Sequence, residues 1–222
     1  MSRIEGVSDR EAGMVTRTVL RIARRETVKL TGREPARMLE PLEAYAHAPR
    51  VLIGYGLLEQ ATAKLNRVEG RLKTLAELKA ATLTNCEYCI DIGSTIAQRA
   101  GISEAQLLAL PHYRDSDLFD ELEKLVLDYA VGVSATPVAV SDQLFSQLRS
   151  HFDEPQMVEL TNVIALENMR GRFNLALGIG AAGFSEGMVC AVPELLPSDA
   201  TREVPAGARD MATSSRATVA PA

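Results

Sequence analysis

The residues best suited to chemistry in this chain are two cysteines three positions apart, Cys86 and Cys89, in the run LKAATLTNCEYCIDIGSTIAQRAGI. A Cys-x-x-Cys that opens a helix puts both sulfurs on its first turn. Backbone N–H groups there point at a thiolate, and the helix dipole favours negative charge. Both effects lower a thiol pKa and make the sulfur nucleophilic. The second sulfur is near enough to resolve a mixed disulfide or a sulfenic acid. The spacing therefore suits a dithiol–disulfide couple. Two other readings compete with it. One is a pair of buried structural cysteines. The other is zinc, which would need two more ligands. No second Cys-x-x-Cys exists, and His47, His112 and His151 lack paired spacing, so no metal site is expected. Cys190, in GMVCAV, reads as a small packed hydrophobe that stays a free thiol.

The elements that must hold this pair are helical almost throughout. Asn85 is a good cap residue, and the residues after it read as a helix to Ala100, closed by Gly101. Helices through 51–65 and 68–83 precede it. Ser8 with Glu11 has capping-box spacing ahead of an apolar series at Val15, Val19, Ile22 and Ala23 that Gly32 would end. Downstream, a short helix from Ser103 runs to Pro111, and an amphipathic one spans Asp115–Val133. Ser141 caps 142–152, and Asp153 with Pro155 opens a long helix to Leu177, with Gly178 near its end. GIGAAG at 178–183 follows a helix rather than a strand, so it is no dinucleotide loop.

Composition narrows the function classes. The 222 residues carry 24 Lys+Arg against 29 Asp+Glu, a net charge of −5 that argues against a phosphate-neutralising nucleic-acid binder. Three cysteines are too few for a disulfide scaffold, no apolar run approaches a membrane span, and the start MSRIEGVSDREAG has no secretory character. A cytoplasmic protein is expected. The stretch after Leu196 is small, polar and proline-punctuated, and reads as a disordered tail over 197–222. The expected organisation is an N-terminal helical extension over 1–34, one folded domain over 35–196, and that tail.

The run RLKTLAELKAATLTNCEYCIDIGSTIAQRAG resembles the central motif of the carboxymuconolactone decarboxylase superfamily, on its AhpD-like alkylhydroperoxidase side. The segments VLDYAVGVSATPVAVSDQLFSQLRSHF and MVELTNVIALENMRGRFNLALGI are similar to the same group, so the likeness covers about Pro35 to Phe184. The resemblance implies an all-α fold with a central helical hairpin, a homo-oligomer (trimer or hexamer), and peroxide or disulfide reduction by Cys86 and Cys89. It implies an antioxidant peroxidase without bound cofactor, acting on a small hydroperoxide or disulfide and recharged by an unknown thiol donor. The decarboxylase branch typically lacks the cysteine pair. The family pattern places a histidine four residues after the second cysteine and a glutamate twelve before the first, as a proton relay; those positions hold Gly93 and Thr74. Glu77, one turn after Thr74, could supply a carboxylate in their place. Two alternatives stand beside this reading: a non-redox lyase or isomerase acting on a small acid, and a redox-responsive oligomeric binding protein.

Overall fold

A computed structural model describes residues 2–8 and 10–194. Among them are nine α-helices, one 3-10 helix and no strand: α1 (Met14–Thr31), α2 (Glu40–Tyr45), α3 (Pro49–Thr62), α4 (Gly70–Thr84), α5 (Glu87–Arg99), α6 (Glu104–Ala109), α7 (Glu121–Ser134), α8 (Asp142–Arg149) and α9 (Glu154–Leu177), with the 3-10 helix Leu110–Asp115 between α6 and α7. The protein is all-α, and α4 and α5 pack as the central hairpin.

The local signals explain most boundaries. Gly32 and Gly178 end α1 and α9 at φ 71° and 68°, conformations in which a Cβ would clash. Asp153 and Gln156 form a reciprocal capping box at the start of α9, with Pro155 in its first turn. Two expectations shift. Ser8 and Glu11 do hydrogen-bond each other, through the Ser8 hydroxyl at 2.7 Å and its backbone N–H at 3.1 Å, but these bonds close an isolated turn. Gly13 then runs extended, and α1 begins at Met14. The amphipathic helix expected from Asp115 starts at Glu121, because Asp120 and Glu123 cap each other there.

Helix α4 is the structural axis, packed against α5, α7 and α9. Leu75, Leu78 and Ala81 enter one apolar cluster with Ile90, Leu107, Leu127 and Phe184. Leu72, Ala76 and Ala80 enter a second with Val126, Leu148, Leu160 and Ile164. A helix buried on both sides shows little amphipathic contrast, which is why its period is weak in the sequence. Lys79, 1% exposed, is carried inside the core: its ammonium donates to Glu194 at 2.5 Å and to the Leu110 carbonyl at 3.2 Å, and lies over the Tyr113 ring. That pair ties Glu194 to α4. The tail expected over 197–222 lies outside the described residues. No helix among the described residues is long and apolar enough to cross a membrane.

Candidate active site

The α4–α5 turn sets the cysteine geometry. Asn85 takes φ 54°, ψ 34° as the left-handed terminus of α4. Asparagine tolerates this region where most residues do not. Asn85 therefore ends one helix rather than capping the next, a correction to the expectation above. The cap of α5 is Cys86 itself: its Sγ accepts the Cys89 backbone N–H at 3.2 Å. Cys86 and Cys89 are joined as a disulfide, with Cα atoms 5.2 Å apart. Both lie in the core, Cys86 at 0% exposure and Cys89 at 5%.

Helix α9 closes over the pair. A Cβ at Gly171 would stand 2.6 Å from Thr84 Oγ1 and 3.4 Å from Cys86 Cβ, so glycine lets the helices approach there. One turn on, Asn174 Nδ2 lies 3.6 Å from each cysteine sulfur. Asn174 is 3% exposed, and its Oδ1 is buried with no hydrogen-bond partner.

Beside this contact sits a charge cluster. Arg170 Nε and Nη2 donate to both oxygens of Glu59, at 2.9 and 2.6 Å; its Nη1 donates to Glu167 at 2.9 Å and to Glu77 at 3.2 Å. One cation thus serves three carboxylates, and they cannot all ionise at ordinary cost. Arg170 holds Glu59 below the usual carboxylate range despite its burial. Burial raises Glu167. Burial also pushes Glu77 up to about 7, against the pull of Arg170 and with the help of Glu167 and Glu59. The Glu77 side chain keeps 30% exposure, enough to exchange a proton with solvent. Tyr55 hydrogen-bonds into the cluster, and Tyr45 stacks between Tyr55 and Phe173 at centroid distances of 4.7 and 3.8 Å.

The remaining sequence candidates are engaged elsewhere. Thr74 Oγ1 donates to the Gly70 carbonyl at 2.9 Å. A Cβ at Gly93 would meet Leu78 Cδ1 at 3.1 Å. Tyr88 is buried and donates to the Met38 carbonyl. The Asp91 carboxylate accepts the backbone N–H groups of Ala182, Gly183, Phe184 and Ser185 and the Ser185 hydroxyl. These bonds keep it below its ordinary pKa against burial, and it anchors a loop rather than the thiols. Cys190 is a free thiol that donates to Ser185 Oγ at 2.8 Å. His47 bonds the Glu5 carbonyl at 2.8 Å. Among the described residues no group of three His, Cys, Asp or Glu could hold a metal ion.

Sequence reasoning missed Asn174, Arg170, Glu167 and Glu59. One signal was available. Glu167, Arg170 and Asn174 recur at spacings of three and four on one face of α9, with Gly171 among them, a polar stripe that needs a partner.

No protein-family model matches the chain. It is 36% identical over 162 residues to YnjA of Escherichia coli, spanning 71% of this chain and 84% of YnjA. It also shares its fold with the AhpD core of a peroxidase-related protein from Ralstonia eutropha, with a TM-score of 0.65 at 18% identity, over 87% of this chain and 98% of that one.

The chain belongs to the same family as YnjA, and its fold is that of AhpD-like proteins.

The AhpD-like fold is not tied to one reaction. The debrominase Bmp8, solved as a cysteine-to-alanine variant in complex with 2,3,4-tribromopyrrole, superposes with a TM-score of 0.68 at 20% identity, covering 82% of this chain and 95% of Bmp8.

Proposed function

We propose that this AhpD-like protein reduces small hydroperoxides or disulfides through Cys86 and Cys89. The observation that carries the reading is a sulfur serving as a helix cap, bonded to a second sulfur one turn on, with a protonatable carboxyl on the same α4–α9 seam. In the reduced form, Cys86 is the attacking thiolate, since its position receives the Cys89 N–H. It forms an S–O bond to a peroxide oxygen as the O–O bond breaks. The departing alkoxide takes a proton and leaves as the alcohol. Cys89 sulfur then attacks the Cys86 sulfenic acid; the S–S bond forms, the S–O bond breaks, and water departs with the Cys89 proton. A donor dithiol returns two electrons and is itself oxidised. Glu77 takes the proton-supplying role that Thr74 and Gly93 leave open, because a carboxyl titrating at about 7 is half-protonated at neutral pH. The reading calls for no bound cofactor. It places the protein in the reducing cytoplasm, as a homo-oligomer.

Bmp8 motivates a second reading on the same pair: reduction of a carbon–halogen bond to carbon–hydrogen, with halide release and oxidation of the two thiols to the disulfide. One experiment covers both. Protein reduced with dithiothreitol and freed of excess is mixed in stopped flow with hydrogen peroxide, cumene hydroperoxide, oxidised glutathione or a bromopyrrole. Disulfide formation should be saturable with one of the first three, and Cys86→Ser should abolish it. Preference for the bromopyrrole would select the second reading. Rates no faster than those of free cysteine thiolate for every substrate would refute both.

A further inference from the structure

Among the described residues two buried side-chain oxygens lack a hydrogen-bond partner, Oδ1 of Asn168 and Oδ1 of Asn174, and of these two residues Asn174 is the one that contacts the disulfide. Its amide nitrogen lies 3.6 Å from both sulfurs of the disulfide, and its oxygen, buried beside them, accepts nothing. A disulfide has no proton to give that oxygen. A thiol does.

We propose that Asn174 is a positioning residue matched to the half-ionised dithiol, its Nδ2 donating to the Cys86 thiolate and its Oδ1 accepting the S–H of Cys89. The proposal rests on the redox reading above and adds to it the group that sets the poise of the pair. A dithiol reductant such as dithiothreitol gives two electrons and becomes its ring disulfide. The Cys86–Cys89 bond breaks, and two protons accompany the electrons. One stays on Cys89 and the other is lost to solvent, leaving one thiol and one thiolate. Before reduction the amide has one useful contact group and one orphan; after it, both ends are satisfied. The terminal amide torsion is soft, so a small rotation suffices once the sulfurs separate.

Cys86 is assigned the thiolate because, against the cost of its burial, it already accepts the Cys89 N–H at 3.2 Å. Cys89, the less buried of the two residues, is where a donor thiol would attack, so Cys86 leaves as the thiolate that accepts the Cys89 N–H. The charged groups around the pair do not replace Asn174. On α9, Arg170 is committed to Glu59, Glu167 and Glu77. On α5, Asp91 is held by the loop at 182–185, and Glu87, in the first turn, stands with its Oε2 3.1 Å from where a Cβ at Gly180 would lie. On α4, Lys79 is paired with Glu194.

The test uses the full chain and dithiothreitol alone, without peroxide. The thiolate is followed by its ultraviolet absorbance against pH, and the potential by equilibration in reduced and oxidised dithiothreitol. Asn174→Leu, which keeps the volume and removes both polar ends, should raise the lower cysteine pKa by about one unit and make the disulfide about tenfold harder to reduce, a shift of about 30 mV. Asn174→Asp keeps the acceptor but adds a negative charge, and should raise that pKa further. Asn174→Ser, a smaller hydroxyl replacement, serves if the leucine variant fails to fold by circular dichroism, and should fall between wild type and leucine. Folded variants with unchanged pKa and potential would overturn the proposal and leave Asn174 a packing residue. So would a wild-type pair that dithiothreitol cannot reduce. Normal poise effects here, with no turnover of any peroxide, disulfide or bromopyrrole in the stopped-flow assay above, would instead refute the proposed function and leave this inference standing.

Discussion

Replacing Glu77 by glutamine should stabilise the protein above pH 7 and do little at pH 4. The Glu77 carboxyl titrates at about 7 in the folded chain and at its ordinary value of 4.5 when unfolded, because burial disfavours its charge more than Arg170 favours it. The folded state therefore binds one more proton than the unfolded state between those values, and stability falls as pH rises through the window. At about 1.4 kcal/mol per unit, the difference of about 2.5 units costs roughly 3 kcal/mol by pH 8. Glu77→Gln removes the titration while leaving Arg170 its bonds to Glu59 and Glu167. Urea unfolding of both proteins from pH 4 to 8 should give curves that meet near pH 4.5 and diverge by up to about 3 kcal/mol at the alkaline end. The same substitution should remove a limb near pH 7 from the peroxide rate profile, a limb that replacing His47, His112 or His151 leaves in place. A glutamine variant destabilised equally at every pH would refute the reasoning. It would show that the Arg170 pair stabilises the fold and that Glu77 is ionised throughout.

Three further outcomes are expected. Asp91→Ala strips the carboxylate from four backbone N–H groups and the Ser185 hydroxyl, and should cost about 3–5 kcal/mol in urea unfolding, with protease cutting within 179–190 as the local readout. Gly171→Ala drives a methyl against Thr84 and Cys86; a loss of about 1–3 kcal/mol by thermal unfolding, together with faster reduction of the disulfide by dithiothreitol, would report the crowding. Light scattering should give a mass several times the 24.0 kDa chain, and Leu57→Asp should lower it, because Val51, Leu57 and Leu58 on α3 are 52, 63 and 40% exposed.

Several features were determined by the sequence alone because they depend on neighbours a few residues apart. The helix ends at Gly32 and Gly178, the caps at Ser141 and Asp153, and the Cys-x-x-Cys spacing are local, and the structure places each where the pattern did. Local signals misled where two of them competed. Asn85 suits both a helix start and a left-handed helix end, and the close return of α5 onto α4 selected the second, leaving Cys86 to cap its own helix. Tertiary packing alone decided the rest of the site. Glu59, Glu77 and Arg170 stand on three helices, and Asn174 lies 85 and 88 positions from the sulfurs it touches. No spacing rule reaches so far, because such contacts form only when the apolar faces of α4 and α9 are buried together. That burial also raises the pKa of Glu77, so its protonation is a property of the fold and not of its sequence neighbours.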